Sequence, residues 1–291
     1  MKCPNCNNIN KKYLYKYQEF IADDYDLRCT SLQYQKPNLI KCIECNLIFS
    51  ELLNIKFEKL YGDVIDEQYI KSIEFKKRYF QNTFKKILKH VNKESEVLEI
   101  GSYYGVFGSI IRPEVNKYKG IELSSHAVEF AKKNYSLDVE SKSIDQHLDD
   151  IEKLDVIIMS HVIEHLDRPF EDLRKIRDKM NDKSIFIFST YNMDSFIAKL
   201  LGKHYHWIMP MHKFYFTKSF LQNFMENNGL ELVETITDTH TTSVMYFLTK
   251  IKTILPFLNF ILGPLTNINF LNKIYFKINL GDLDLYVVRK K

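Results

Sequence analysis

Three groups of residues in this chain have the types and spacing to do chemistry. The first is the stretch Val97 to Ile110, VLEIGSYYGVFGSI. Val97, Leu98 and Ile100 read as a short buried strand, and Gly101 and Gly105 then supply a turn where backbone passes close to a ligand. A second apolar run, Tyr118 to Ile121, ends at Glu122, whose carboxylate could accept hydrogen bonds from both hydroxyls of a ribose. A nucleotide-like ligand is therefore expected. The second group is two C-x-x-C pairs, Cys3/Cys6 and Cys42/Cys45. Each pair can offer two thiolates to one tetrahedral zinc, and a site with all four positions filled by protein is structural. Asn7 and Asn46 follow the pairs, where such knuckles need a residue that tolerates left-handed backbone. Surface disulfides or idle thiols are the alternative reading. The third group is histidines: His161 and His165 in HVIEH, and His212 in MPMHKFYF. A histidine is the natural general base at neutral pH, although core packing or helix capping also accounts for any one of them.

The elements that must position these groups alternate. Asp155 to Ser160, DVIIMS, is a buried strand running into His161; a helix over 169–180, a strand Ser184–Ser189, a helix Thr217–Asn228, a strand Leu230–Thr237 and a last strand Asp282–Val288 follow. Thr217 has the chemistry of an N-cap, and Gly229 that of a residue ending the helix. Such alternation predicts an α/β fold with a mainly parallel sheet, helices on both faces and ligands at the carboxyl ends of the strands. Upstream, Ile73, Phe80, Phe84, Ile87, Leu88 and Val91 recur at helical spacing. They predict one amphipathic helix over Val64–Val91 that covers the sheet and walls the ligand site.

The glycine turn resembles the first-strand motif of class I S-adenosylmethionine (SAM)-dependent methyltransferases, an acidic residue followed by Gly-x-Gly-x-Gly. Glu99, Gly101 and Gly105 match, while Tyr103 stands at the middle glycine, tolerable if its ring points outward over the ligand. HVIEHLDRP, residues 161–169, resembles the fourth-strand motif, and Asp282–Val288 the closing antiparallel strand, so the resemblance covers about residues 61–291. It implies a Rossmann-like, seven-stranded sheet and SAM as cofactor. The implied cofactor contacts are Glu99, Gly101, Tyr103, Gly105, Glu122 and His161, with Ser143, Ile144 and Asp145 flanking the adenine; Asp145 could equally be a loop N-cap. His161, His165 and His212 are the implied catalytic candidates. His161 lies where the reactive methyl should be, and WIMPMHKFYF, residues 207–216, resembles a stretch lining the acceptor side. HVIEH also matches a zinc-peptidase motif, but it abuts a strand instead of lying in a long helix. In ubiquinone-type O-methyltransferases the corresponding positions are associated with a divalent metal, which here would fall on His161, Glu164 and His165. The order CPNC, CIEC, LYGDVIDEQY and methyltransferase core is also similar to methyltransferases of bacterial surface-glycan biosynthesis.

The expected organisation is a zinc-ribbon-like β domain over 1–60, a linker helix within 61–95, and a SAM-dependent methyltransferase domain over 96–291 with a helical insertion at about 244–276. Lys12 to Leu39 reads as a hairpin carried between the knuckles, with Cys29 a non-ligand. The chain has 291 residues, 45% of them hydrophobic, enough for a full core. A net charge of +4 from 41 basic and 37 acidic residues offers no electrostatic case for nucleic acid. Met1 leads directly into CPNC without a secretory signal, so a cytoplasmic protein is expected. The apolar residues near 254–262 are broken by Pro256 and Pro264 and fall short of the roughly 20 needed to span a bilayer. They could be a lid, a peripheral membrane contact at the inner membrane, or ordinary packing. The leading function is methyl transfer to a hydroxyl of a small molecule, foremost a sugar or glycan precursor. An RNA-modifying enzyme with the zinc ribbon as clamp is the runner-up, weakened by the absence of a basic stripe. A non-enzymatic module with a decayed SAM site, suggested by Tyr103, is the third.

Overall fold

A computed structural model describes residues 1–17, 28, 35–56, 60–62, 64–151, 154–254, 256–266, 268–272 and 274–291. Residues 18–27 and 29–34 of the segment between the two cysteine pairs, Cys29 included, lie outside the described residues. In chain order the strands are β1 (Lys11–Tyr15), β2 (Leu39–Cys42), β3 (Ile48–Ser50), β4 (Glu96–Ile100), β5 (Lys117–Glu122), β6 (Val139–Ser141) and β7 (Leu154–Ser160). They continue with β8 (Met180–Tyr191), β9 (Phe214–Tyr215), β10 (Leu230–Thr237), β11 (His240–Ser243), β12 (Tyr275–Ile278) and β13 (Leu283–Lys290). The helices are α1 (Glu67–Lys71), α2 (Ile73–Ile87), α3 (Val106–Ile111), α4 (Ser125–Tyr135), α5 (Ile144–Asp149), α6 (Pro169–Lys179), α7 (Phe196–Leu201), α8 (Lys218–Asn227), α9 (Val244–Ile254) and α10 (Asn259–Leu265).

Seven strands form one sheet in the order β10-β13-β8-β7-β4-β5-β6. The pairs from β8 through β6 are parallel, and β13 enters antiparallel between β8 and β10. β4 and β7 are therefore central and buried on both faces, which is why their sequences read as nearly continuous apolar runs. The pleat divides the core. Val97, Val156, Ile158, Ile187 and Val287 face a layer containing Phe84, Phe107 and Val128. Leu98, Ile100, Ile157, Met159 and Phe186 face a layer of Phe170, Phe214 and Phe220. Chain order reverses on either side of β4, which has β5 on one flank and β7 on the other, and such a switch point opens a crevice at the carboxyl edge.

The expected single helix over 64–91 is two helices. Asp66 caps α1 by accepting from the Tyr69 amide at 2.9 Å, and Ser72 closes it with its amide turned back onto Tyr69 O. α2 then starts at Ile73 and ends at Ile87, and a short 3-10 turn carries the chain to His90. The insertion also differs from expectation: residues 275–276 belong to β12, which pairs antiparallel with β11 and zips its two ends together. Among the described residues no helix is long and apolar enough to cross a membrane.

The N-terminal strands do not close on themselves. Their sheet runs β1-β2-β3-β9, and β9 comes from the chain after β8. Cys3, Ile40, Cys42, Leu47 and Phe49 share one buried cluster with Phe214 and Phe170 of the large unit.

Candidate active site

The turn after β4 is folded onto β5 by two bonds, from the Gly101 and Ser102 amides to Ile121 O at 2.9 and 3.1 Å. Gly101 has φ +71°, and a Cβ built on it would stand 2.4 Å from Val162 Cγ2, so neither the conformation nor the space suits another residue. Gly105 has φ +73° and begins α3 against Ala131. Tyr103, at the middle-glycine position, also adopts left-handed backbone with φ 46°. That conformation sends its amide to Glu122 Oε2 at 2.9 Å, while Glu122 Oε1 accepts from the Leu123 and Ser124 amides at 2.8 and 2.9 Å. Three backbone donors thus orient the carboxylate at the end of β5, and Oε2 keeps a second acceptor position. The Tyr103 ring stands edge-on to Tyr69 at 4.7 Å and its hydroxyl donates to Asp66, so it forms a wall with α1. Burial pushes the Glu99 carboxyl up to about 8, against a hydrogen bond donated by Tyr118 and with Glu122 adding to the rise.

Glu99, Gly101, Tyr103 and Glu122 line one cavity of about 320 Å³ together with Ser143 and Ile144, whereas Gly105, an expected cofactor contact, starts α3 and is not in its lining. Ser143 is the N-cap of α5, in a capping box with Gln146. Asp145 is not the N-cap, which is Ser143; its carboxylate pairs with Arg168 and Lys175, each at 2.5 Å, and it is not in the cavity lining.

The same cavity continues to His161, Glu164, His165, Tyr191, Trp207, His212 and His240. His161 is the first residue past β7 and has φ 55°, with its amide bonded to Ser189 Oγ at 3.1 Å. Its Nε2 lies 2.9 Å from the Tyr79 hydroxyl, and its Nδ1, buried, has no hydrogen-bond partner among the described residues. Burial holds the imidazole down to about 3, so it is neutral at any physiological pH. Glu164 Oε2 accepts from Thr190 at 3.1 Å, whereas Oε1 is buried, unpartnered among the described residues and 3.9 Å from His161 Nδ1. Burial raises the Glu164 carboxyl to about 8.

His165 and His212 face each other edge-on, ring centroids 4.7 Å apart. Each directs Nδ1 at a backbone carbonyl, His165 to Met211 O at 3.1 Å and His212 to Trp207 O at 2.8 Å. A carbonyl only accepts, so in His212 the proton sits on Nδ1 and Nε2 carries the lone pair; His165 Nδ1 also lies 3.1 Å from the Tyr61 hydroxyl. The ligand-capable atoms of Glu164, His165 and His212 lie within 4.8 Å of one another. The expected set of His161, Glu164 and His165 is not the one brought together: His212 takes the place of His161. Beside them Tyr191 stacks on Trp207 at 4.1 Å, with His240 nearly parallel to Tyr191 at 6.4 Å.

The four cysteines converge as their spacing suggests. Cys3 Sγ is 3.5 Å from Cys45 Sγ and Cys6 Sγ is 3.6 Å from Cys42 Sγ, close to the roughly 3.8 Å edge of a tetrahedron with 2.3 Å zinc–sulfur bonds. Asn7 and Asn46 do take left-handed backbone, φ 58° and 62°. None of the four is in a disulfide.

Sequence reasoning missed Tyr79, Asp238, Tyr191 and His240. Tyr79 sits on a helix whose neighbours are lysines and an arginine, and the one local signal for Asp238 was its place directly after the strand Leu230–Thr237.

A central β4 flanked by β5 and β7, an antiparallel β13, a glycine turn on the carboxyl edge and an acidic residue ending β5 together define a class I SAM-dependent methyltransferase. The methyltransferase-domain family matches residues 72–235, more than half of the chain, and the chain belongs to that family. The fold is also that of a SAM-dependent methyltransferase from Archaeoglobus fulgidus, at 19% identity and TM-score 0.51, covering 78% of this chain and 100% of the other. A chain of the complex between the Haloferax volcanii Trm112 methyltransferase activator and a methyltransferase aligns with TM-score 0.53 at 11% identity, over 81% and 97% of the two chains. A Thermotoga maritima SAM-dependent methyltransferase, described as a possible histamine N-methyltransferase, aligns with TM-score 0.50 at 16% identity, over 81% and 98%. No curated protein matches the sequence.

Proposed function

We propose that the enzyme transfers a methyl group from SAM to a hydroxyl of a small polar molecule, foremost a sugar or glycan precursor. The observation that carries this reading is the pair of buried polar atoms without a hydrogen-bond partner among the described residues, His161 Nδ1 and Glu164 Oε1, in the cavity that begins at the cofactor turn. A buried polar atom without a partner costs about 1–3 kcal/mol, and a ligand hydroxyl, which donates to an imidazole nitrogen and accepts from a protonated carboxyl, relieves that cost. The Tyr191–Trp207 shelf supports a ring-shaped acceptor, because stacked aromatic faces take the flat apolar side of a sugar. An RNA substrate finds less support, since net charge is small and the lining is aromatic.

The residues present fit SAM. The Gly101 turn leaves no Cβ in the way and Glu122 Oε2 has an acceptor position for a ribose hydroxyl. When bound, SAM supplies an electrophilic methyl on a sulfonium, so the protein has chiefly to align the acceptor and exclude water. His161 Nδ1 takes the hydroxyl proton during attack, the aromatic shelf orients the ring, and Tyr69 and Tyr103 close the cofactor side. The four-cysteine cluster fits a structural zinc that ties the N-terminal strands to this unit.

Calorimetry tests the cofactor half of the reading. Glu122→Ala should weaken SAM about tenfold or more, the worth of hydrogen bonds to a charged group; unchanged affinity would refute it. His161→Ala should lower turnover about a hundredfold with SAM affinity nearly intact, assayed on fractionated surface-glycan precursors. A large loss in His212→Ala with none in His161→Ala would move the base to the acceptor side.

A second reading, compatible with the first, is a divalent cation on Glu164, His165 and His212. It is favoured by the carbonyl-anchored Nδ1 atoms, the arrangement that orients ligating histidines. Cobalt(II) titration separates it from the cysteine site by spectrum, and the nitrogen–oxygen band should vanish in His212→Ala.

A further inference from the structure

Asp238 is fully buried just past β10 and is held by three side chains of α2. Lys86 Nζ donates to Oδ1 at 2.8 Å, Thr83 Oγ1 donates to Oδ2 at 2.8 Å, and the Tyr79 hydroxyl donates to Oδ2 at 3.2 Å; the Thr239 amide also bonds Oδ1 at 2.8 Å. Positions 79, 83 and 86 lie on one face of the helix, so this is a single grip. Because the carboxylate, paired with Lys86, only accepts, the one proton of the Tyr79 hydroxyl points at Asp238. The tyrosine oxygen then has only lone pairs for His161 Nε2, 2.9 Å away, and the proton on that contact must be the imidazole's. Nδ1 is left bare on the cavity side, where it has no partner among the described residues.

We propose that Tyr79 and Asp238 are positioning residues that lock His161 in the tautomer whose Nδ1 lone pair receives the acceptor's proton. Building on the methyltransferase reading above, the inference gives the catalytic base an orienting relay, His161 Nε2–H to Tyr79 O–H to Asp238. Burial, with Asp238 beside it, keeps the Tyr79 hydroxyl protonated and therefore donating. Swapping one atom of the relay should reverse it. In Asp238→Asn the amide oxygen is required by Lys86 and the Thr239 amide, so the NH2 group falls opposite Tyr79. The tyrosine must then accept from residue 238 and donate to His161 Nε2, which moves the imidazole proton to Nδ1, out of reach as a base.

Nitrogen NMR on the full-length protein with 15N-labelled histidine reads the tautomer directly, the His161 signals being assigned by their loss in His161→Gln. Wild type should show Nε2 protonated, Tyr79→Phe a mixture of the two tautomers, and Asp238→Asn the reversed form. The inference is overturned by a wild-type His161 protonated on Nδ1. It is equally overturned if the wild-type tautomer persists in both variants, since something else would then set it. SAM calorimetry on the same samples keeps the two levels apart. A wrong tautomer with SAM bound removes the relay and leaves the functional reading standing, whereas a right tautomer without SAM binding removes the reading and leaves the geometry.

Discussion

Gly101 shows how tightly one position can be specified. Its positive φ is poorly tolerated by other residues, and the space where a Cβ would go belongs to Val162, which follows the proposed base by one residue. Gly101→Ala must therefore strain the turn or push the Val162 segment away. A cost of about 1–3 kcal/mol is expected, read as a fall in Tm of several degrees, together with weaker SAM binding. A variant with unaltered melting and affinity would show that the turn has slack. Tyr103 at the neighbouring motif position makes the opposite point: its departure from glycine is accommodated because the backbone still takes the left-handed conformation and still donates to Glu122.

At the scale of elements, α2 is the piece that joins the cofactor side to the far edge of the sheet. Its apolar residues Phe84 and Ile87 are buried in the core, while Tyr79, Thr83 and Lys86 reach Asp238. Lys86 is the only cation bonded to that carboxylate among the described residues, and truncating one partner leaves the other buried and uncompensated. Lys86 is partly exposed, which softens the effect, so Lys86→Met is expected to destabilise the protein by roughly 1–3 kcal/mol in chemical unfolding. A loss below about 0.5 kcal/mol would mean that Thr83, Tyr79 and the Thr239 amide suffice to solvate Asp238.

In the whole molecule the cysteine sheet and the proposed acceptor end are mechanically continuous. β3 pairs with β9, the Ser50 amide bonds Lys213 O, and the Lys213 and Phe214 amides bond Glu164 O at 2.8 and 3.2 Å. Lys213, fully buried, bridges Asp167 and Ile55 O. Stripping metal with a chelator should therefore loosen more than the first 60 residues. Hydrogen exchange is expected to rise through 212–216 and around Glu164, with SAM affinity largely kept because β4 and β5 lie on the other flank. Unchanged exchange at 212–216 after complete metal removal would uncouple the two regions, and a loss of SAM affinity would make the coupling global.

The sequence by itself determined the parts whose chemistry is local. A strand followed by Gly101 and Gly105, the acid ending β5, the left-handed asparagines after each cysteine pair and the exact span of β10 all follow from short-range steric and periodic rules, and so were readable. Only the tertiary structure decided which distant groups meet. Tyr79 and Asp238 are 159 residues apart in the chain, and His212 joins Glu164 and His165 where the Lys213 and Phe214 amides bond Glu164 O. Asp145 pairs with Arg168 and Lys175, and the expected single helix was broken where Asp66 capped and Ser72 closed a first short turn. Hydrophobic patterning specifies which face is buried, but it leaves open which buried polar groups will find each other. That pairing is set by sheet order and by the cost of leaving any one of them without a partner.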